Sequence, residues 1–197
     1  DGYSRAGAGV LRGRGMPADR YSRRQWVFGA CGGASIYRTG MLKDIGLFDQ
    51  NFFIIYEDVD LSFRAQLMGY RCLYVPEAVV HHRASRSVGY DSPKSVYYGH
   101  RNLEWVYIKN MPAALYIKTI LPHLCYIGIS CAFFLLQGQL KPFLAAKKDA
   151  LKGLKRVMGE RRRIQLRKKV SDDYIWGILD KELFLPRLIH RNRKKGK

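Results

Sequence analysis

Val59, Phe63 and Leu67 recur every four residues, and Leu61, Ala65 and Met68 fill in the same side. That period predicts an amphipathic helix over residues 57–68, stopped by Gly69. Asp60 and Arg64, four positions apart, are expected to pair on its outer face. Just upstream, residues 52–56 form an unbroken apolar run of aromatic and β-branched side chains, which predicts a strand. Residues 39–48 predict a short helix ended by Gly46. Residues 26–38 predict a strand that enters a Gly-rich turn and then a helix start. Downstream, residues 71–82 read as strand, divided into two short pieces by Pro76. Residues 83–95 read as a loop, and the aromatic-rich residues 96–111 as a helix that ends before Pro112. Residues 1–24, rich in Gly, Arg and Ser, read as a surface loop bordering a site. Gly7, Gly9, Gly13 and Gly15 follow no apolar strand, so they make no dinucleotide fingerprint.

The pattern changes after residue 112. Residues 119–140 contain no Asp, Glu, Lys or Arg, and 22 uncharged residues reach the length that spans a bilayer. Pro122, His123, Ser130, Gln137 and Gln139 dilute the run, so lying in the membrane interface is as compatible with it as crossing. Beyond it, Leu144, Leu151, Leu154 and Met158 line one side at helical spacing, with Lys and Arg on the others. This predicts a membrane-surface helix, or a solvated helix packed on the body.

Composition sharpens this picture. Of 197 residues, 47% are hydrophobic and 13% aromatic, enough for a core, which excludes a wholly disordered chain. Lys and Arg number 35 against 16 Asp and Glu, a net charge of +19. Residues 1–140 carry 16 basic and 10 acidic side chains; residues 141–197 carry 19 and 6. A mildly basic body thus precedes a strongly basic tail, which calls for an anionic partner, either nucleic acid or an anionic membrane leaflet. Cys31, Cys72, Cys125 and Cys131 show no C-x-x-C spacing. They give no zinc ribbon and no disulfide framework, so a reducing compartment is expected. The chain opens on Asp1 with no Met, basic n-region or apolar h-region, and is expected to be cut from something longer.

Three features could carry chemistry. Glu57 and Asp58 are adjacent acids at the mouth of a helix that follows an apolar run. One such carboxylate can act as general base toward an attacking hydroxyl, and a helix N-terminus favours its ionised form. Simple capping of the helix is the alternative. His81 and His82, at the end of a predicted strand, could include a metal ligand or be structural. Arg101 and Asn102 lie in an aromatic helix, where an Arg can clamp a phosphate or make an ordinary salt bridge.

The string running through Gly46, Phe48, Asp49, Phe52, Phe53, Tyr56, Glu57, Asp58, Asp60, Leu61 and Arg64 resembles the C-terminal half of glycosyltransferase family 2. Residues 29–38, 74–87 and 97–110 fit the same order, and the likeness is closest to bacterial rhamnosyltransferase-like enzymes of surface polysaccharide assembly. The resemblance implies an α/β fold: the C-terminal half of a GT-A glycosyltransferase, a mixed sheet with helices, followed by membrane-associated helices. It implies two parts, residues 1–112 as the acceptor-side half of the catalytic domain and residues 113–197 as a basic helical region for membrane association. Asp58 matches the catalytic base, and Glu57 its neighbour that orients acceptor or base. Gly32 and Gly33 match the loop near donor and acceptor. Arg101 matches a position touching the donor diphosphate, and His82 a ligand of a divalent metal, Mg or Mn.

The expected activity is inverting transfer of a sugar, such as rhamnose, from a nucleotide-sugar donor to a lipid-linked or polysaccharide acceptor. The expected location is the cytoplasmic face of the inner membrane, on an anionic surface. The family's donor-binding αβα half, with its D-x-D metal motif, is not within residues 1–197. Asp58-Val59-Asp60 spells D-x-D but precedes L-x-x-R on a helix, which marks the later acid motif. The chain alone is therefore expected to be inactive. The alternatives are a basic nucleic-acid-binding module and an inactive membrane-docking paralogue. No nucleic acid is expected as partner, because most of the excess charge adjoins the long uncharged apolar run.

Overall fold

The structure, a computed structural model, describes residues 1–81, 88–89 and 92–181. Helices dominate it. It has two antiparallel ribbons: β1 (Gly2–Tyr3) with β2 (Gly9–Val10), and β3 (Gln25–Val27) with β4 (Cys72–Tyr74). Between the strands of the second ribbon lie α1 (Thr39–Ile45) and α2 (Glu57–Leu67). Then follow α3 (Pro93–Asn110), α4 (Ala113–Leu136), α5 (Leu140–Lys152), α6 (Leu154–Arg167) and α7 (Asp172–Ile178).

Helix α3 is the central rod. Ser92 caps its start, accepting the Ser95 N–H at 3.1 Å, and Pro93 occupies the first turn, where a missing N–H costs nothing. It packs against α2, α5 and α6. Leu103, Val106 and Tyr107 are fully or nearly fully buried around it, together with Phe63 and Leu67 from α2. Gly153, between α5 and α6, lets the chain touch the rod: a Cβ there would lie 2.7 Å from the Trp105 ring. Trp105 also donates its indole N–H to the Ala150 carbonyl at 3.2 Å.

Several local expectations change. The first ten residues are not a surface loop: Tyr3, Ser4, Ala6 and Ala8 are buried, and Asp180 donates its N–H to the Tyr3 carbonyl at 2.8 Å. Residues 52–56 are not a strand. A short 3-10 turn, Gln50–Phe52, leads into three residues with positive φ, Phe53, Ile55 and Tyr56. Among the described residues no strand pairs with this segment, and side chains take up its carbonyls instead. Past Pro76, residues 77–81 form no second strand, and only the piece before the proline pairs with β3.

Asp60 and Arg64 do pair, at 2.9 Å, but in the interior rather than on an outer face. Lys109 Nζ lies 3.1 Å from Asp60 and 2.8 Å from Asp49, and Asn110 donates to the remaining Asp60 oxygen at 2.8 Å. Arg64 also donates to the Ile45 and Leu47 carbonyls, closing the end of α1. Burial pushes the Asp49 carboxyl up, but Lys109 outweighs it and holds the group well below the usual carboxylate range.

The basic tail is two helices broken at Gly153, not one. Its predicted apolar side, Leu144, Leu151, Leu154 and Met158, faces outward. The side packed on the body is Phe143, Ala146, Ala150 and Val157, whose alanines allow a close helix approach. Residues 182–197 lie outside the described residues.

Helix α4 is tied to the body by polar contacts. His123 sets one ring nitrogen 2.8 Å from the Ala6 carbonyl and the other 3.0 Å from Glu104. Lys147 of α5 reaches the other Glu104 oxygen. Burial raises the Glu104 carboxyl, yet His123 and Lys147 outweigh it and hold it at about 2, against an ordinary 4.5. A depressed carboxyl stabilises the fold above its unfolded value and loses that contribution as pH falls through its folded one. We therefore expect the thermal midpoint to drop between about pH 4.5 and 2. In Glu104→Gln this part of the pH dependence should vanish, with about 1–3 kcal/mol lost at pH 7. Thermal melts at a series of pH values check both; an unchanged pH profile in the variant would remove Glu104 as the tie.

Candidate active site

The acids sit where α2 begins. Its N-cap, Tyr56, has φ 75° and ψ −3°, a left-handed conformation that a bulky residue adopts only under constraint. Phe53 and Ile55 are also at positive φ, and each such residue costs on the order of 1–3 kcal/mol. Buried Asn102 supplies the constraint. Its amide group donates to the carbonyls of Phe52, Ile54 and Ile55 at 3.0, 2.8 and 2.7 Å. Arg101 donates to the Asn51 and Phe52 carbonyls at 2.9 and 3.1 Å, and its Nε holds the Asn102 carbonyl oxygen at 2.9 Å. The Arg101 guanidinium lies over the Trp105 ring at 4.2 Å, which fixes its plane. Tyr56 in turn accepts the Gly9 N–H on its hydroxyl at 3.1 Å.

The turn leaves Glu57 and Asp58 half-buried on the first turn of α2. Asp58 Oδ2 accepts the Gly32 N–H at 2.8 Å, and its Oδ1 accepts the Val59 N–H at 2.8 Å. Both acceptor oxygens are thus oriented by backbone donors. Burial, and then the Asp58 charge, push the Glu57 carboxyl above its ordinary value. Among the described residues its Oε2 has no hydrogen-bond partner.

The Gly-rich loop is brought to Asp58 from the other side. Gln66 of α2 donates to the Phe28 carbonyl at 2.8 Å. Gly29 then passes so close that a Cβ would lie 2.3 Å from Ser62 Oγ. Gly32 and Gly33 form an exposed turn, in which a Gly32 Cβ would make ordinary contact with Asp58 at 3.6 Å. Phe53, in the strained turn, is exposed and rests on Tyr98, with ring centroids 5.2 Å apart.

The structure therefore brings together Asp58, Glu57, Gly32 and Gly33. Arg101 lies beneath the strained turn, where its Nε donates to the Asn102 side-chain oxygen and one terminal nitrogen donates to the Asn51 and Phe52 carbonyls. His81 is exposed, and His82 lies outside the described residues. The carboxylates of Asp1 and Asp58 and the Cys31 thiol lie within 4.8 Å of one another. The second acid of the D-x-D string, Asp60, is fully buried under Arg64 and Lys109 and has no opening for a metal diphosphate.

Asn102 is the site residue whose task the sequence hid. Its signal was spacing: residues 102, 105, 106 and 109 share one helical side, so a polar Asn there faces inward. Asn102→Ala should release the Ile54 and Ile55 carbonyls, while Phe52 keeps Arg101, and should cost about 1–3 kcal/mol and loosen the turn before Glu57. Denaturant unfolding reads the first effect. Amide hydrogen exchange at residues 53–58 reads the second, and unchanged exchange there would deny Asn102 its clamping part.

Known proteins share part of this sequence. Two curated N-acetylglucosaminyl-diphospho-decaprenol L-rhamnosyltransferases of Mycobacterium tuberculosis, from strains CDC 1551 / Oshkosh and ATCC 25618 / H37Rv, are similar to it. Each is 32% identical over 83 residues, which is 42% of this chain and 26% of the relative. The match thus spans about a quarter of the length of these relatives. No solved structure matches. The profile of the family described as "Glycosyl transferase family group 2" covers residues 18–144, a stretch that holds α2, the strained turn before it and the Gly-rich loop. By that match over more than half its length, the chain belongs to glycosyl transferase family group 2.

Proposed function

We propose that this chain carries the acceptor side and the catalytic base of an inverting glycosyl transfer. Residues 1–112 are the C-terminal half of a GT-A domain, and residues 113–197 attach it to a membrane. The observation that carries this is Asp58, held at the start of α2 with its Oδ2 on the Gly32 N–H at 2.8 Å. Asp58 accepts the proton of the acceptor hydroxyl as that oxygen attacks the anomeric carbon of the nucleotide sugar. The new glycosidic C–O bond forms while the C–O bond to the diphosphate breaks. The nucleoside diphosphate leaves with the electron pair, and the configuration inverts. One base suffices for this displacement. Glu57 orients the acceptor or the base. The Gly32–Gly33 backbone borders donor and acceptor, with no side chain in the way. Arg101 contributes by fixing the loop that aims the two acids.

The names of the relatives favour rhamnose as the sugar and a lipid-linked acceptor. We propose that the reaction serves the synthesis of a surface polysaccharide at the cytoplasmic face of the inner membrane. A divalent cation, Mg or Mn, would supply charge stabilisation to the departing diphosphate when bound. The Asp1, Cys31 and Asp58 group does not fit such an ion, because it adds a soft thiol to two carboxylates. We assign the ion to His82 together with the family's D-x-D half. Since residues 1–197 do not contain that half, they are inactive by themselves.

In a chain that includes the donor-binding half, Asp58→Asn should lower turnover by roughly 100-fold or more with donor binding nearly unchanged. Steady-state kinetics with donor titration check this; near-normal turnover would pass the role to Glu57. His82→Ala should raise the metal concentration needed for half-maximal activity, and His81→Ala should do so less. Equal losses at every metal concentration would make both histidines structural.

A further inference from the structure

Helix α4 has two unlike sides. Leu115, Thr119, His123, Ser130 and Phe134 are buried against the body. Thr119 meets the Tyr107 hydroxyl at 3.0 Å, the His123 ring stacks on Tyr107 with centroids 3.8 Å apart, and Phe134 packs on His100 at 4.9 Å. These contacts run from the first turns to the last. On the opposite side Ile117, Leu121, Leu124, Ile129, Leu135 and Leu136 are between 49% and 84% exposed. Cys125, Gly128 and Ala132 lie exposed among them, and no charged residue interrupts this side after Lys118. A helix of 24 residues is about 36 Å long, and a continuous apolar strip of that length is far more than a soluble surface ordinarily shows.

The helix is long and apolar enough to cross a bilayer. Crossing would strip Thr119, His123 and Ser130 from their protein surroundings and leave Glu104 short of a partner in a buried setting, which is costly. The side that is free is the apolar one. Beside it, α5 packs on α4 and presents Lys141, Lys148 and Lys152, and α6 continues with Lys155, Arg162 and Arg163, all exposed. Residues 141–197 carry 19 basic against 6 acidic side chains. A second copy of so cationic a surface would be repelled, whereas an anionic bilayer offers both hydrocarbon and negative charge.

We propose that α4 lies in the plane of an anionic lipid surface, its Leu121–Leu124 side immersed and the cations of α5 and α6 at the headgroups, and that it does not cross the bilayer. This rests on the membrane attachment proposed above for residues 113–197, but it does not depend on Asp58 being a base.

The test uses the full chain and vesicles of phosphatidylcholine with or without phosphatidylglycerol. The protein should co-sediment with the anionic vesicles, keep part of that binding at high salt, and be released by alkaline carbonate. Leu121→Glu with Leu124→Glu, both at exposed positions, should weaken partitioning by about tenfold or more. Circular dichroism verifies that the variant folds. In the unaltered protein, Cys125 on the immersed side should react with a water-soluble maleimide about tenfold more slowly once anionic vesicles are added, while exposed Cys31 keeps its rate. Unchanged Cys125 reactivity would overturn the docking side. Carbonate-resistant binding would mean that the helix crosses. Binding lost entirely at high salt and indifferent to the Leu changes would point to a polyanion such as nucleic acid. Protection of Cys125 without lipid, rising with protein concentration, would point to a second copy.

Discussion

Asp60 is a carboxylate with no exposed surface, and the arrangement of the site depends on how its charge is met. Arg64, Lys109 and Asn110 converge on its two oxygens. Through Arg64 it holds the end of α1, and through Lys109 it reaches Asp49 at the entry to the strained turn. Removing one member of such a network leaves an uncompensated buried charge, a loss of about 3–5 kcal/mol. The consequence for chemistry is geometric. Two residues along a helix are about 200° apart, so drawing Asp60 inward turns Asp58 outward, toward the Gly32 N–H. The acid that folds the protein thereby aims the acid that could react.

The turn before α2 stores the opposite kind of energy. Phe53, Ile55 and Tyr56 all adopt positive φ although none is glycine. Such a segment persists only where its surroundings over-determine it. Asn102 and Arg101 do so from the central helix, meeting the carbonyls of residues 51, 52, 54 and 55. A side-chain clamp on a strained loop keeps Glu57 and Asp58 in one orientation without substrate, which is what pre-organised acid–base chemistry needs. The Arg that resembled a diphosphate ligand thus has a demanding structural task in the same place.

Beyond residue 112 the chain divides its apolar side chains between two surfaces. Phe143, Ala146, Ala150 and Val157 go to the body, and Leu144, Leu151, Leu154 and Met158 go outward. Small residues won the inner side because α5 must approach Trp105 closely, and a leucine could not fit where Gly153 and Ala150 meet that ring. The larger residues were left for another apolar medium. The same division in α4, polar ties inward and leucines outward, makes the C-terminal helices a coherent unit with an unsatisfied apolar exterior.

The sequence by itself determined α1, α2 and α3, the acidic mouth of α2 and the family. The 3.6-residue period, Gly46 and Gly69 as stops, and the string from Gly46 to Arg64 are local facts, and local propensity expresses them directly. Only the tertiary structure decided three other things. It turned residues 52–56 from a strand into a strained turn, because Asn102, some 50 positions away, takes their carbonyls. It drew the Asp60–Arg64 pair inside, because Lys109 and Asn110 on another helix meet its charge. It chose which of two apolar stripes in residues 140–167 would be buried, because the shape of α3 admits one and not the other. Periodicity reports that a side is apolar; which medium covers it, and which distant group satisfies a buried charge or carbonyl, depends on contacts between elements that no local spacing encodes.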